Sequence, residues 1–234
     1  MSLKRVLGFA IDTINSCTDE VHVLHYKMNI WRTANFAEAR RYDPLGLHWV
    51  SPDALTREIP GREFRRKYTP GMVVGGDWDL NTVDFSRKHF EAFQQRFVEG
   101  HPWKDTFLYQ DALSRKPGDY YHGCRTESEI EDRLRRYEAI YDAMARDGYL
   151  SQRELLARSR AAGSHHLRAT PPELNEVIVH IGRDGGYIFD DGRHRVSIAK
   201  ILRIRLIPVL VIVRHREWVA KDEDVLRIQQ TSTH

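Results

Sequence analysis

The chain has 234 residues, of which 41 % are hydrophobic and 10 % aromatic, enough to bury a core and to exclude a disordered or fibrous chain. Its 36 basic residues nearly balance 33 acidic ones, so composition gives no reason to expect a polyanion as the main partner. Two cysteines, Cys17 and Cys124, exclude a disulfide framework and a cysteine metal cluster and fit a reducing cytoplasm.

The N-terminus, MSLKRVLGFAIDTINSC, holds a short apolar patch interrupted by Asp12. A membrane span needs about 20 apolar residues, so neither a span nor a secretory segment is expected here or elsewhere. Residues 1–45 carry mixed helical signals and read as a partly helical extension. His48-Trp49-Val50 reads as a short strand, followed by a helical turn with Pro52 at its first position and Ser51 or Asp53 as its cap. Lys67 to Leu80 reads as a turn, a short strand and a glycine-permitted bend. Residues 84–99 place Phe90, Phe93 and Phe97 on one helical face, which Gly100 and Pro102 end.

The clearest helix runs from about Ser128 to Asp147, with Thr126 and Glu129 as a capping box and Gly148 as its stop. Ile130, Leu134, Tyr137, Ile140 or Tyr141, and Met144 form its buried stripe. Residues 153–170 begin as a helix and become a polar connector. Its His165-His166 pair lacks partners at a metal-binding spacing, so a surface loop is expected.

From Pro171 the pattern sharpens. Glu176 to Ile181 is a strand, Gly182 to Gly186 a hairpin loop, and Tyr187 to Phe189 the returning strand. Asp190 to Arg195, DDGRHR, is a turn. Val196 to Leu202 is a short helix with Val196, Ala199 and Leu202 inward. Ile207 to Val213 is apolar throughout, as a strand covered on both faces would be. The expected class is α/β (α+β), with a small mixed sheet, flanking helices and N-terminal helical additions.

DDGRHR carries the strongest chemical signal. A strand ends, a glycine turns the backbone, and a helix begins with unpaired amides and a positive dipole end. Gly192 permits close approach of an anion, Arg193 and Arg195 can grip phosphate, and His194 adds a donor. Asp190 and Asp191 have the chemistry of magnesium ligands. The same residues also fit a plain helix start with solvated arginines and Asp191 as N-cap. In GGDWD, Asp77 and Asp79 are candidates to activate an acceptor hydroxyl, or else to close a turn. Cys124 is expected to be partly buried, and the aromatic run Trp103 to Tyr109 to pack in a core. Trp218 is expected to cover the sheet edge, with Arg214 and Arg216 within reach of the phosphate.

The stretch Glu176 to His215 resembles the core of the ParB/sulfiredoxin superfamily: two strands, a glycine-led basic motif opening a helix, and a strand beginning Ile207-Pro208-Val209. His48 to Ile59 resembles that family's opening strand and Pro-x-x-Leu element. The resemblance implies an N-terminal extension over residues 1–45 and a ParB/sulfiredoxin-like domain over 46–234, with a helical insert at about 76–147 and the core motif at 176–215. Sulfiredoxins carry a cysteine where this chain has Arg193, so sulfinic-acid repair is not implied. ParB proper carries Gly-Glu-Arg-Arg and a following helix-turn-helix region. Here Arg193 and His194 replace Glu and Arg, and the sequence runs only 39 residues past Arg195. The Asp-Gly-His-His-Arg motif of the free serine kinase branch is matched by Asp191, Gly192, His194 and Arg195, with Arg193 replacing its first histidine.

Cysteine usage points to the cytoplasm, and the resemblance leans toward an enzyme without fixing one. The leading expectation is a nucleotide-dependent phosphotransferase using Mg2+ with ATP, ADP or CTP and a small hydroxyl-bearing acceptor. Gly192, Arg193, His194 and Arg195 would bind phosphate, Asp190 or Asp191 the metal, and Asp77 or Asp79 the acceptor. A nucleotide-binding switch without turnover is the alternative. A ParB-like nuclease or DNA-binding protein stands third, because the charge balance argues against nucleic acid as the main partner.

Overall fold

The computed structural model describes residues 21, 24–28, 30, 42–61, 63–85, 87–114, 124–161 and 171–221. In chain order the elements are strand β1 (Leu47–Val50), a 3-10 turn (Pro52–Ala54), strand β2 (Arg57–Glu58), helix α1 (Glu63–Lys67), and strands β3 (Met72–Val74) and β4 (Val83–Asp84). Helices α2 (Arg87–Phe97), α3 (Phe107–Ser114), α4 (Glu127–Asp147) and α5 (Gln152–Ala161) follow. The chain then forms strand β5 (Val177–Ile181), strand β6 (Tyr187–Asp191), helix α6 (Arg193–Ile201) and strand β7 (Ile207–His215), and residues 216–221 are helical. The class is mixed α/β, built on one seven-stranded sheet in the order β1-β7-β5-β6-β2-β4, with β3 also paired to β7.

β7 organises this sheet. All nine of its residues are buried, which matches its unbroken apolar run. One of its edges pairs with β5 in parallel from Val209 to Arg214. The other takes β1 antiparallel at Ile207–Leu210 and then β3 parallel at Val213–His215. β5 and β6 form the hairpin expected from GRDGG, closed by Gly182 and Gly186, with Gly185 at φ +81°. A shift in register between Val179 and Ile181 puts Arg214 opposite Ile181.

One sheet face packs Val177, Val179, Phe189, Val209 and Val211 against Val196 and Ala199 of α6. The opposite side of α6 sends Ile198 into a second core with Phe93, Leu108, Ile130, Leu134 and Tyr137 from α2, α3 and α4. α6 is thus buried on two sides, where the sequence suggested one inward face. Leu202 packs with the helical core and not with the sheet. The other sheet face is covered by Phe64 of α1, Tyr68 and Trp78 over Leu210, Ile212 and Val213.

α4 begins as its cap predicts: Thr126 Oγ1 accepts from the Glu129 amide at 3.2 Å. The Glu129 carboxylate, however, accepts from the Arg125 amide and not from that of the cap residue. Pro52 opens its 3-10 turn, but Ser51 makes no side-chain capping bond. Trp103 and Tyr109 pack in the helical core, and Cys124 is a buried free thiol. Among the described residues no helix is long and apolar enough to cross a membrane. Cys17, His165 and His166 lie outside the described residues, as does most of the N-terminal extension.

Candidate functional site

β6 ends at Asp191, and Gly192 turns the chain into α6 with φ +95° and ψ 21°. A β-carbon there would sit 2.9 Å from Val177 Cγ2 and 3.1 Å from Val177 Cα, so both the conformation and the close approach require glycine. Gly192 is itself the N-cap, so Asp191 does not occupy that position. The first main-chain bond into α6 runs from the Val196 amide to the Gly192 carbonyl. The Arg193 and Arg195 amides therefore have no protein acceptor among the described residues, at the positive end of the helix dipole.

Arg193 borders a cavity of about 260 Å³, lined in part by His89, Phe189, Asp191, Gly192 and His194. Arg193 Nη2 donates to both Glu58 oxygens, at 3.0 and 3.1 Å, and its guanidinium lies 5.9 Å from the Phe189 ring centroid. Its Nε is buried without a partner, leaving donor capacity on the fork. The His194 ring stacks on Tyr137 at 4.2 Å, with Phe93 at 5.8 Å and His89 at 5.9 Å. That stacking fixes the imidazole between the helical core and the cavity.

Arg195 departs from the expectation. Its Nη2 donates to the Asn175 carbonyl at 2.6 Å, and Nη1 lies 3.4 Å from Tyr149 Oη and 3.6 Å from Glu176. Being two residues beyond Arg193, it leaves the helix on a different side and lines a neighbouring cleft instead. Of the expected phosphate ligands, Gly192, Arg193 and His194 share one cavity and Arg195 does not.

The two aspartates of the turn also separate. Asp190 Oδ2 is 3.0 Å from His180 Nε2, and the side chains of this pair are 1 % and 0 % exposed. Phe64 and Trp78 close over the His180 ring. A metal at Asp190 would have to break that buried pair, so its expected ligand role is corrected. Asp191 is exposed at the cavity and is the carboxylate with the access a magnesium ion needs. Among the described residues no group of three or more His, Cys, Asp or Glu has metal-binding geometry.

Asp77 and Asp79 are not beside the basic turn. Arg183, in the β5–β6 loop, donates to Asp79 through its amide (2.8 Å), Nε (3.0 Å) and Nη2 (2.8 Å), and to Asp77 through Nη2 (2.8 Å). That loop precedes β6 and Gly192 follows it, so the length of the strand, about 13 Å, separates them. Burial alone would raise the Asp79 carboxyl, but the Arg183 hydrogen bonds and charge hold it below the ordinary range. His215 donates from Nε2 to the Gly76 carbonyl at 2.8 Å and accepts the Glu217 amide on Nδ1. The GGDWD bend is thereby fastened to the hairpin, which is the turn-closing alternative.

Arg214 and Arg216 lie at that same far end. Arg214 is 3 % exposed and donates from Nη2 to His48 Nε2 at 3.1 Å, so His48 Nδ1 carries its proton toward Tyr187 Oη at 3.0 Å. Burial, then Arg214, lower the His48 pKa. Arg216 lies against Gly75. Trp218 packs on the β5–β6 loop and the central core, not on a sheet edge, with Nε1 2.9 Å from the position of a β-carbon on Gly185.

Sequence reasoning missed His180, His89, Glu58 and Tyr149. A histidine inside the apolar strand EVIVHI was a readable signal, since a buried imidazole needs a partner. His89 and Glu58 gave none, because their nearness to Gly192 depends on how α2 and β2 are placed. Comparison with family models, with curated proteins and with solved structures gives no match for this chain.

Proposed function

We propose that the cavity at the start of α6 binds the phosphate group of a nucleotide, and that the chain is a nucleotide-dependent phosphotransferase of the ParB/sulfiredoxin-like kind, acting on a small hydroxyl-bearing molecule. The observation that carries this reading is the helix start at Gly192, whose Arg193 amide lacks a protein acceptor among the described residues beside a polar cavity. Such an arrangement favours an anion through hydrogen bonds and dipole together. The volume of about 260 Å³ suits a phosphate chain, with the nucleoside outside it. Whole drug-sized ligands take about 300–1,000 Å³. Arg193 supplies fixed charge, and the exposed Asp191 carboxylate at the cavity is the one that would hold a magnesium ion, which would neutralise phosphate charge when bound. With Asp77 and Asp79 tied to Arg183, proton acceptance from the acceptor falls to Asp191 or His89 at the cavity.

A second reading, a nucleotide-binding switch without turnover, is favoured by one observation: Asp190 is sequestered by His180 and His194 by Tyr137, so few groups at the cavity can move a proton. Two measurements test these readings. Pyrophosphate, then ATP, ADP and CTP with magnesium, should raise the melting temperature of the parent. Gly61 lines the cavity at φ +80° with open space around it, and Gly61→Asp puts a carboxylate there. That variant should lose the stabilisation, while neutral Gly61→Asn keeps it. Equal stabilisation of all three chains would place the anion elsewhere. Nucleotide consumption with hydroxyl-bearing acceptors then separates transferase from switch.

A further inference from the structure

A larger cavity lies on the other side of the Gly192 turn. It has about 500 Å³ between α4 and α5, with Ile140, Ala143, Met144 and Leu155 on its walls and Arg158 and Arg195 at its edge. Leu155 is 43 % exposed there, an apolar side chain left in water. We propose that this cleft is a second binding site, separate from the phosphate cavity, and that it takes an amphipathic anion: an apolar body carrying a carboxylate or sulfonate group.

The apolar walls select the body of such a ligand, and the charge around them selects its head. Arg146 and Arg158 both contact Asp147 Oδ2, at 3.1 and 3.2 Å, so two guanidiniums share one carboxylate. Arg195 pairs with Glu176 at 3.6 Å, and burial pushes that carboxyl up to about 7, so near neutrality the pair is only partly ionised on the acid side. Arg195 Nη1 reaches Tyr149 Oη at 3.4 Å and Glu176 at 3.6 Å. Good hydrogen bonds of this type span about 2.7–3.2 Å, so that nitrogen keeps donor capacity for a ligand. The lining of the cleft sets three arginines, Arg146, Arg158 and Arg195, against the one lining carboxylate of Asp147, with Glu154 near Arg158, and it leaves an under-used guanidinium beside apolar walls. A neutral hydrocarbon would leave the arginines unanswered, and inorganic phosphate the walls. The site is distinct from the phosphate cavity, although they share a wall: a β-carbon on Gly192 would lie 3.4 Å from Arg195 Nη2.

The test uses the intact chain and two fluorescent probes of similar size, anionic 8-anilinonaphthalene-1-sulfonate and neutral N-phenyl-1-naphthylamine. The parent should bind the anionic probe saturably and about tenfold more tightly than the neutral one. Ala143→Trp fills the cleft and should weaken the anionic probe by about tenfold or more. Leu155→Glu sets a carboxylate at the exposed rim, where folding is not at stake, and should weaken it by about three- to tenfold. Arg195→Ala should bring the two probes to equal affinity. Saturating pyrophosphate should leave the anionic probe bound. Equal binding of both probes by the parent overturns the anion. Unchanged affinity in both Ala143→Trp and Leu155→Glu, or full displacement by pyrophosphate, overturns the site.

Discussion

Substituting Gly192 with alanine perturbs the one residue on which the candidate site turns, and two terms set the cost. The backbone is left-handed there, at φ +95°, which costs an L-residue about 1–2 kcal/mol. The new methyl group would also meet Val177 at 2.9 Å (Cγ2) and 3.1 Å (Cα), and overpacking of this kind costs about 1–3 kcal/mol. Together they predict a loss of about 2–5 kcal/mol, read as the shift in a urea-unfolding midpoint. Gly61 has φ +80° and nothing within 4 Å of its would-be β-carbon, so Gly61→Ala carries the backbone term alone. The difference between the two variants isolates the contact with Val177. Adding Val177→Ala to Gly192→Ala removes the Cγ2 collision but not the Cα one, so a double-mutant cycle should show favourable coupling of about 1 kcal/mol. Equal losses in the two glycine variants, together with zero coupling to Val177, would refute the close approach on which the helix start depends.

Asp79→Asn should lower the melting temperature, because it breaks the Arg183 clasp, and leave pyrophosphate binding intact. Lost anion binding at unchanged stability would return the bend to the active site. Glu176 is raised from 4.5 to about 7, mainly by burial, so the folded chain holds its proton more tightly than the unfolded one. Its stabilising contribution is complete below pH 4.5 and lost as pH rises through 7. Glu176→Gln should therefore flatten the fall in stability over that range, and an unchanged slope would contradict the assignment. His48, lowered by burial, acts in the opposite sense below its ordinary value of 6.5 and is common to both chains. Thr126→Ala should cost about 1 kcal/mol through the lost cap on α4, measured by urea unfolding. Binding to duplex DNA should be weak and steeply salt-dependent, and a tight, sequence-selective complex at physiological salt would overturn the charge argument.

The C-terminal part of the fold was legible because local rules govern it. The glycines of GRDGG permit a hairpin, Gly192 permits a helix start, and an unbroken apolar run of β7 demands cover on both faces. α4 was legible for the same reason: its cap and its stripe are written within a few residues. The site was legible only in its main-chain part. Which way Arg193 and Arg195 point depends on Glu58 from β2 and on Asn175 and Glu176 before β5, partners that spacing within DDGRHR cannot reveal. Asp77 and Asp79 were misjudged for a related reason. Their partner Arg183 lies more than a hundred residues away in sequence, and an acidic bend reads alike whether it faces a ligand or a neighbouring loop.

The position of β7 also bears on how the molecule can be made. Leu47 finds its partner in Leu210, and Met72 finds its own in Val213. A growing chain emerges at about 5–20 residues per second, so β1 and β3 must wait on the order of ten seconds or more for the strand that receives them. Until then, Trp49 and the apolar residues of β3 have no edge to join. The helices α2 to α4 can begin to pack on one another sooner, although Ile198 of α6 completes their core late. Synthesis should thus deliver a helical cluster first and a sheet assembled late around its last strand, with the early strands exposed to wrong partners in the interval.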